Sequence, residues 1–259
     1  MKTLRPQFYR IVPFLCLIGS CISKQDPGTS APNSLPVLAR YPTCDTMRLF
    51  EARYLSSAWT VAIGKYSAGE MVCLSQPNLR SIPEKDIIDQ RYRDMAEPTN
   101  TNSLRLVVDY GEQVYFDRYG NRENQFYPVF LSNSSDSIKN FYLKDDYVLA
   151  LQEALDSNGV WRPIETRTSD FCGVGHWGVK IHPGEFFVFL MGKYKGDFRT
   201  LLRVRIKSGD TIYTSDPFEG VIYYTQMTPE KGTYLEEYLE NSNGENLDYV
   251  FLGARPLGF

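Results

Sequence analysis

The stretch 170–184, DFCGVGHWGVKIHPG, holds one cysteine and both histidines of the chain. Those residue types ligate metals or act as nucleophile and base. A zinc centre would take Cys172, His176 and His182, with Asp170 or Glu185 as the fourth donor of a closed shell. No Cys-x-x-Cys or His-x-x-x-His spacing accompanies them. A Cys172–His176 nucleophile pair would need a thiolate of lowered pKa and a third group to orient the imidazole. No dedicated orienting acid is visible. A glycine-rich loop with a structural cysteine and a turn at Pro183-Gly184 explains the same residues. The expectation is therefore no metal, no cofactor and no catalytic residue.

Other chemistry is equally sparse. No P-loop, Gly-x-Ser-x-Gly, His-Glu-x-x-His or EF-hand pattern occurs. Asp145-Asp146 and Glu236-Glu237 are sequence neighbours, which suits solvated surfaces better than paired acid and base work. A glycosidase's carboxylates meet only in space, so an exported hydrolase stays as a third reading. Trp59, Trp161 and Trp177 can stack on sugar rings or fill a β core. Arg203, Arg205 and Lys207 can hold an anionic glycan or face water from one side of a strand. The candidate ligand contacts are Trp161, Trp177, Arg203 and Arg205.

The N-terminus carries more information. Lys2, Arg5 and Arg10 are the charges of the first twenty residues, and an apolar run from Ile11 to Ser20 follows. It spans about ten residues, half of the roughly 20 a membrane-crossing helix needs. A basic region, a short apolar region and small residues make a secretory signal peptide over 1–20. Ile18-Gly19-Ser20-Cys21 resembles the lipobox of bacterial lipoproteins. The resemblance implies that Cys21 receives a diacylglycerol and becomes the new N-terminus, while Cys16 is discarded. One myristoyl chain binds a membrane only reversibly, at ~0.8 kcal/mol per buried methylene, whereas two or three long chains anchor stably. Ile22 and Ser23 follow, with no Asp directly after the cysteine, and the resemblance then implies the outer membrane.

Removing residues 1–20 takes away three basic groups and no acid, which moves the formal charge from −3 to −6. That argues against nucleic acid as a partner and against a polybasic lipid-binding surface. Residues 21–37 read as the lipidated cysteine and a flexible tether rich in Ser, Pro, Gly and Asn. Cys44, Cys73 and Cys172 remain besides Cys21; an exported location permits one bridge, and Cys44–Cys73 is the first choice.

The elements that must position any site read as β. LRLVVDYG (104–111), FYPVFLSN (126–133), EFFVFLM (185–191) and RTLLRVRIK (199–207) are strands; the third is apolar on both parities and is expected to be buried on both faces. YVLALQEAL (147–155) and VWRPIE (160–165) flank DSNG, a strong hairpin signal. Pro128 suits an edge or a bulge. TVAIGKYSAGEMVCLSQ (60–76) suggests a hairpin, and 83–96 a short helix. Thr228 is expected to cap a helix over 228–241, and YVFLG (249–253) to form a last strand. YPVFLSN, LQEALDSNGVWRPIE, IHPGEFFVFL and FRTLLRVRI together resemble the immunoglobulin-like modules of bacterial surface lipoproteins. The expected fold is mainly β: an Ig-like or fibronectin-like antiparallel β-sandwich over 101–223. An irregular N-terminal segment (38–100) packs on it, and a short helix-strand extension (224–259) ends the chain. The expected function is a non-enzymatic, membrane-anchored envelope lipoprotein that serves as an interaction or assembly module, with glycan binding as the alternative. Three Asp-Ser/Thr-aliphatic triplets, at 45–47, 136–138 and 210–212, match a bacterial O-glycosylation pattern.

Overall fold

The computed structural model describes residues 35–38, 47–72, 82–89, 104–115, 124–167, 175–208, 211–241 and 244–259. Cys21, Cys44, Cys73 and Cys172 lie outside the described residues, and with them the lipid anchor and the expected bridge. In chain order the strands begin with β1 (Val37–Leu38), β2 (Ser56–Ser57), β3 (Thr60–Ser67), β4 (Met71–Val72), β5 (Ile87–Asp89) and β6 (Leu104–Val108). Next come β7 (Val114–Tyr115), β8 (Gln125–Asn133), β9 (Lys139–Lys144), β10 (Tyr147–Val148), β11 (Ala150–Leu155) and β12 (Trp161–Pro163). The last six are β13 (Glu165–Thr166), β14 (His176–Ile181), β15 (Glu185–Gly192), β16 (Phe198–Ser208), β17 (Thr211–Thr214) and β18 (Phe218–Ile222). Helices α1 (Tyr234–Glu240) and α2 (Glu245–Phe251) follow. The protein is mainly β, with several antiparallel sheets and two short C-terminal helices. Among the described residues no helix is long and apolar enough to cross a membrane.

The central sheet runs β3-β15-β8-β6, with β7 also on β8. Alternation places Phe186, Val188 and Leu190 of β15 in one core and Phe187, Phe189 and Met191 in the other, so the strand is buried on both faces as its composition implied. A second sheet, β10-β9-β14-β5, contributes Phe141, Leu143, Val179 and Ile181 to the second core. A third, β12-β11-β16-β17 with β18 also on β16, turns Leu202 to the first core and Val204 and Ile206 to the second. Helix α2 packs Leu247, Val250 and Phe251 with Leu151 of β11 in a third cluster.

The strands β8 and β9 form one run bent at Ser134–Ile138, and β14 and β15 form another bent at His182–Gly184. They pair β8 with β15 and β9 with β14, as one hairpin folded across two sheets. Asn133 fixes that corner. Its buried amide donates to the Ser137 and Ile181 carbonyls at 2.8 Å each, and its Oδ1 accepts from Ser135 N–H at 3.1 Å and Ser135 Oγ at 2.7 Å. Pro128 sits inside β8 opposite Leu190, where β6 has ended at Val108 and β7 has not begun. Its missing donor falls at that break, which is why an inner strand tolerates it. The DSNG turn forms as expected: Asp156 Oδ1 accepts from Asn158 and Val160 N–H at 2.8 and 2.9 Å, and Gly159 takes φ 75°.

Several expectations need correction. Residues 84–86 form a 3₁₀ turn and 87–89 a strand in place of the start of a helix, because β14 offers an edge to pair with. The turn at Ala68-Gly69 forms, but β3 pairs with β15 and β4 runs parallel to β1, so its arms share no ladder among the described residues. Thr233, not Thr228, caps α1, accepting from Glu236 N–H. Residues 249–253 are not a strand; 249–251 belong to α2, whose Leu247, Val250 and Phe251 fall at i, i+3, i+4. The C-terminal extension is therefore two helices. Strands β3 and β5, from within 38–100, are hydrogen-bonded members of the first and second sheets.

Candidate functional site

Three of the four expected ligand contacts meet on one face. Register places Leu155 opposite Trp161, and Glu153 and Leu151 opposite Arg203 and Arg205. The Arg203 guanidinium lies 4.3 Å from the Trp161 ring centroid, and its Nε donates to Glu153 Oε2 at 2.6 Å. Arg205 Nη1 sits 3.5 Å from Glu153 Oε1, and its Nε donates to the Leu252 carbonyl at 2.9 Å. Glu153 is thus a buried carboxylate between two guanidinium groups, and Arg205 ties the end of α2 to the sheet. These charges are committed internally, and Trp161 is left half-buried beside them. Trp177 is on the second sheet, opposite Leu143, with Nε1 donating to the Asp145 carbonyl at 2.7 Å.

His176 opens β14 and His182 follows its last residue. Six residues of extended chain separate them by roughly 20 Å, so they cannot ligate one ion together. Among the described residues no group of three or more His, Cys, Asp or Glu side chains is placed to hold a metal; Cys172 lies outside them. His182 instead joins a charged cluster. Its Nε2 is 2.9 Å from Asp86 Oδ1, Lys65 Nζ donates to Asp86 Oδ2 at 2.7 Å, and Glu185 Oε2 lies 2.9 Å from the same ammonium. Burial pushes the Asp86 carboxyl up, but the hydrogen bonds from His182 and Lys65 outweigh it and hold it below the usual carboxylate range.

A fully buried acid was missed in the sequence. Glu165 accepts from the Tyr194 hydroxyl at 2.6 Å, from Gln152 Nε2 at 2.9 Å and from Gln152 N–H at 2.7 Å. Burial, against those hydrogen bonds, pushes its pKa up to about 7. Burial also pushes Tyr194 well above its ordinary range, and the Glu165 charge adds to it. Glu165 is fully buried, with 0% exposure. Its signal was a lone acid at the end of WRPIE.

A cleft of about 370 Å³ opens nearby, walled by Tyr110, by 193–196 and by Glu219–Val221 of β18. Lys193, Lys195 and Arg199 line it with one acid, Glu219. Lys193 Nζ donates to the Tyr110 carbonyl at 2.9 Å and lies 4.2 Å from that ring's centroid. Burial pushes its ammonium down, and the charge of Asp109 only partly opposes this. Lys195 pairs with Glu51 at 2.8 Å, and Arg199 with Glu219 at 3.4 Å. The sequence signal was the basic run Lys193, Lys195, Arg199. Compared with known proteins, the chain matches no family model and no curated sequence.

Proposed function

We propose that this protein is a lipid-anchored lipoprotein of the bacterial cell envelope, held by Cys21 to the outer membrane, whose β fold serves as a non-enzymatic interaction or assembly module. The observation that carries the reading is Ile18-Gly19-Ser20-Cys21 behind a basic start and a short apolar run. Of the proposed tether, 21–37, residues 21–34 lie outside the described residues, and Leu35 already packs against the first core. An immunoglobulin-like or fibronectin-like sandwich is supported by antiparallel sheets sharing cores. Here β8 and β9 pair β15 and β14 in nested order.

Glycan binding is the second reading. Trp59 is 41% exposed with its ring 5.4 Å from Phe50, and Phe50 in turn lies 5.9 Å from Tyr194 at the cleft. Aromatic faces beside a cleft suit sugar stacking. The anchor is tested by mass spectrometry of the mature N-terminus, which should show a diacylated Cys21. A Cys21→Ala protein should leave the membrane fraction, and one that stays there through its own N-terminus overturns the reading.

A further inference from the structure

We propose that the cleft between Tyr110, Lys193 and β18 is a binding site for a small oxyanion: a carboxylate, as on an acidic sugar, or a phosphate. The proposal is independent of how the protein is anchored. Its first support is the local charge. A chain of formal charge −3 places Lys193, Lys195 and Arg199 around one concave space with a single lining acid, Glu219. A concave site whose lining cations outnumber its lining acids draws counter-ions against the field of the whole molecule.

The second support is the state of Lys193. Among the described residues it has no carboxylate within salt-bridge distance; its ammonium is held by the Tyr110 carbonyl at 2.9 Å and by the ring beneath. Asp109 acts on this half-buried cation only from a distance, and an ammonium has three donors, of which the Tyr110 carbonyl takes one. An anion in the cleft would bring a counter-charge into contact with the ammonium and take the remaining donors. The third support is rigidity. The Tyr110 ring is packed 4.8 Å from Phe218 and 5.1 Å from Tyr127, so the floor beneath Lys193 is fixed by the core. Lys195 and Arg199 stand at the rim on the exposed acids Glu51 and Glu219. Exposed pairs of that kind are worth little, so both cations can turn to a ligand at small cost.

The test is calorimetric titration of the full chain, in detergent at constant ionic strength, with inorganic phosphate, glucuronate and glucose. Ligand is taken to about 10 mM, tenfold above a Kd of about 1 mM. Binding of phosphate or glucuronate without glucose supports the site, and which of the two binds names the source of the oxyanion. Lys193→Gln should weaken that binding about tenfold, the worth of one charge-assisted hydrogen bond. Arg199→Gln, at a side chain 77% exposed and so harmless to folding, should weaken it severalfold. No anion binding at that concentration, equal binding of glucose, or anion binding unchanged in folded Arg199→Gln and Lys193→Gln proteins would overturn the proposal.

Discussion

Asn133 carries more of the fold than its size suggests. One side chain satisfies two carbonyls, Ser137 in the bend before β9 and Ile181 of β14, and two donors of Ser135, at the point where the chain passes between sheets. Asn133→Ala leaves the Ser137 and Ile181 carbonyls without that partner, and Ile181 is fully buried. The expected loss is about 2–4 kcal/mol, because unmade buried hydrogen bonds cost desolvation as well as the bond. Urea unfolding measures it, and a loss under about 1 kcal/mol would show that water replaces the amide. The asparagine was legible as a strand end, whereas its four partners were not. The same holds for Arg203 and Arg205: alternation along β16 put them on the polar side, but only the register with β11 revealed the buried Glu153 that holds them.

At the scale of elements, β18 and the 193–196 segment touch through backbone. A Cβ built on Gly196 would lie 1.9 Å from the Ile222 carbonyl carbon and 2.0 Å from its oxygen. Neither is a flexible side chain that can turn away. Gly196→Ala should therefore push this edge of the sheet aside and cost about 3 kcal/mol or more. A wild-type melting temperature in that variant would mean the two segments separate freely. Elsewhere, local pattern decided the strands with clear alternation or a strong turn, as at DSNG. It failed where an apolar run had two readings. YVFLG is short and apolar, so its period is ambiguous. The left-handed Gly244 and Leu252 that bound α2, and the docking of Leu247, Val250 and Phe251 with Leu151, make it a helix.

For the whole molecule, pH acts on stability through a few buried acids. Glu165 titrates near 4.5 when unfolded and near 7 when folded. Between those values the native state holds a proton the unfolded state has lost, so stability falls as pH rises from about 4.5 to about 7, by about 3 kcal/mol. Asp86 and Asp156 act oppositely. Their folded pKa values are depressed, Asp156 chiefly by the Val160 N–H, so stability is lost as pH falls below their ordinary value of 3.8. Denaturant unfolding from pH 3 to 8 should trace a maximum near pH 4.5. Glu165→Gln should flatten the upper limb, and a limb that keeps its slope would assign it to another group. The sequence by itself determined a mainly β chain, its principal strands, its strongest turn and the lipobox-like segment, because alternation, Asn-Gly and Cys spacing are local signals. Tertiary structure alone decided which strands share a sheet, that Glu165 is sealed from water, and that three cations surround one cleft. Those are contacts between residues distant along the chain, set by how the strands pair and pack, and no local pattern encodes them.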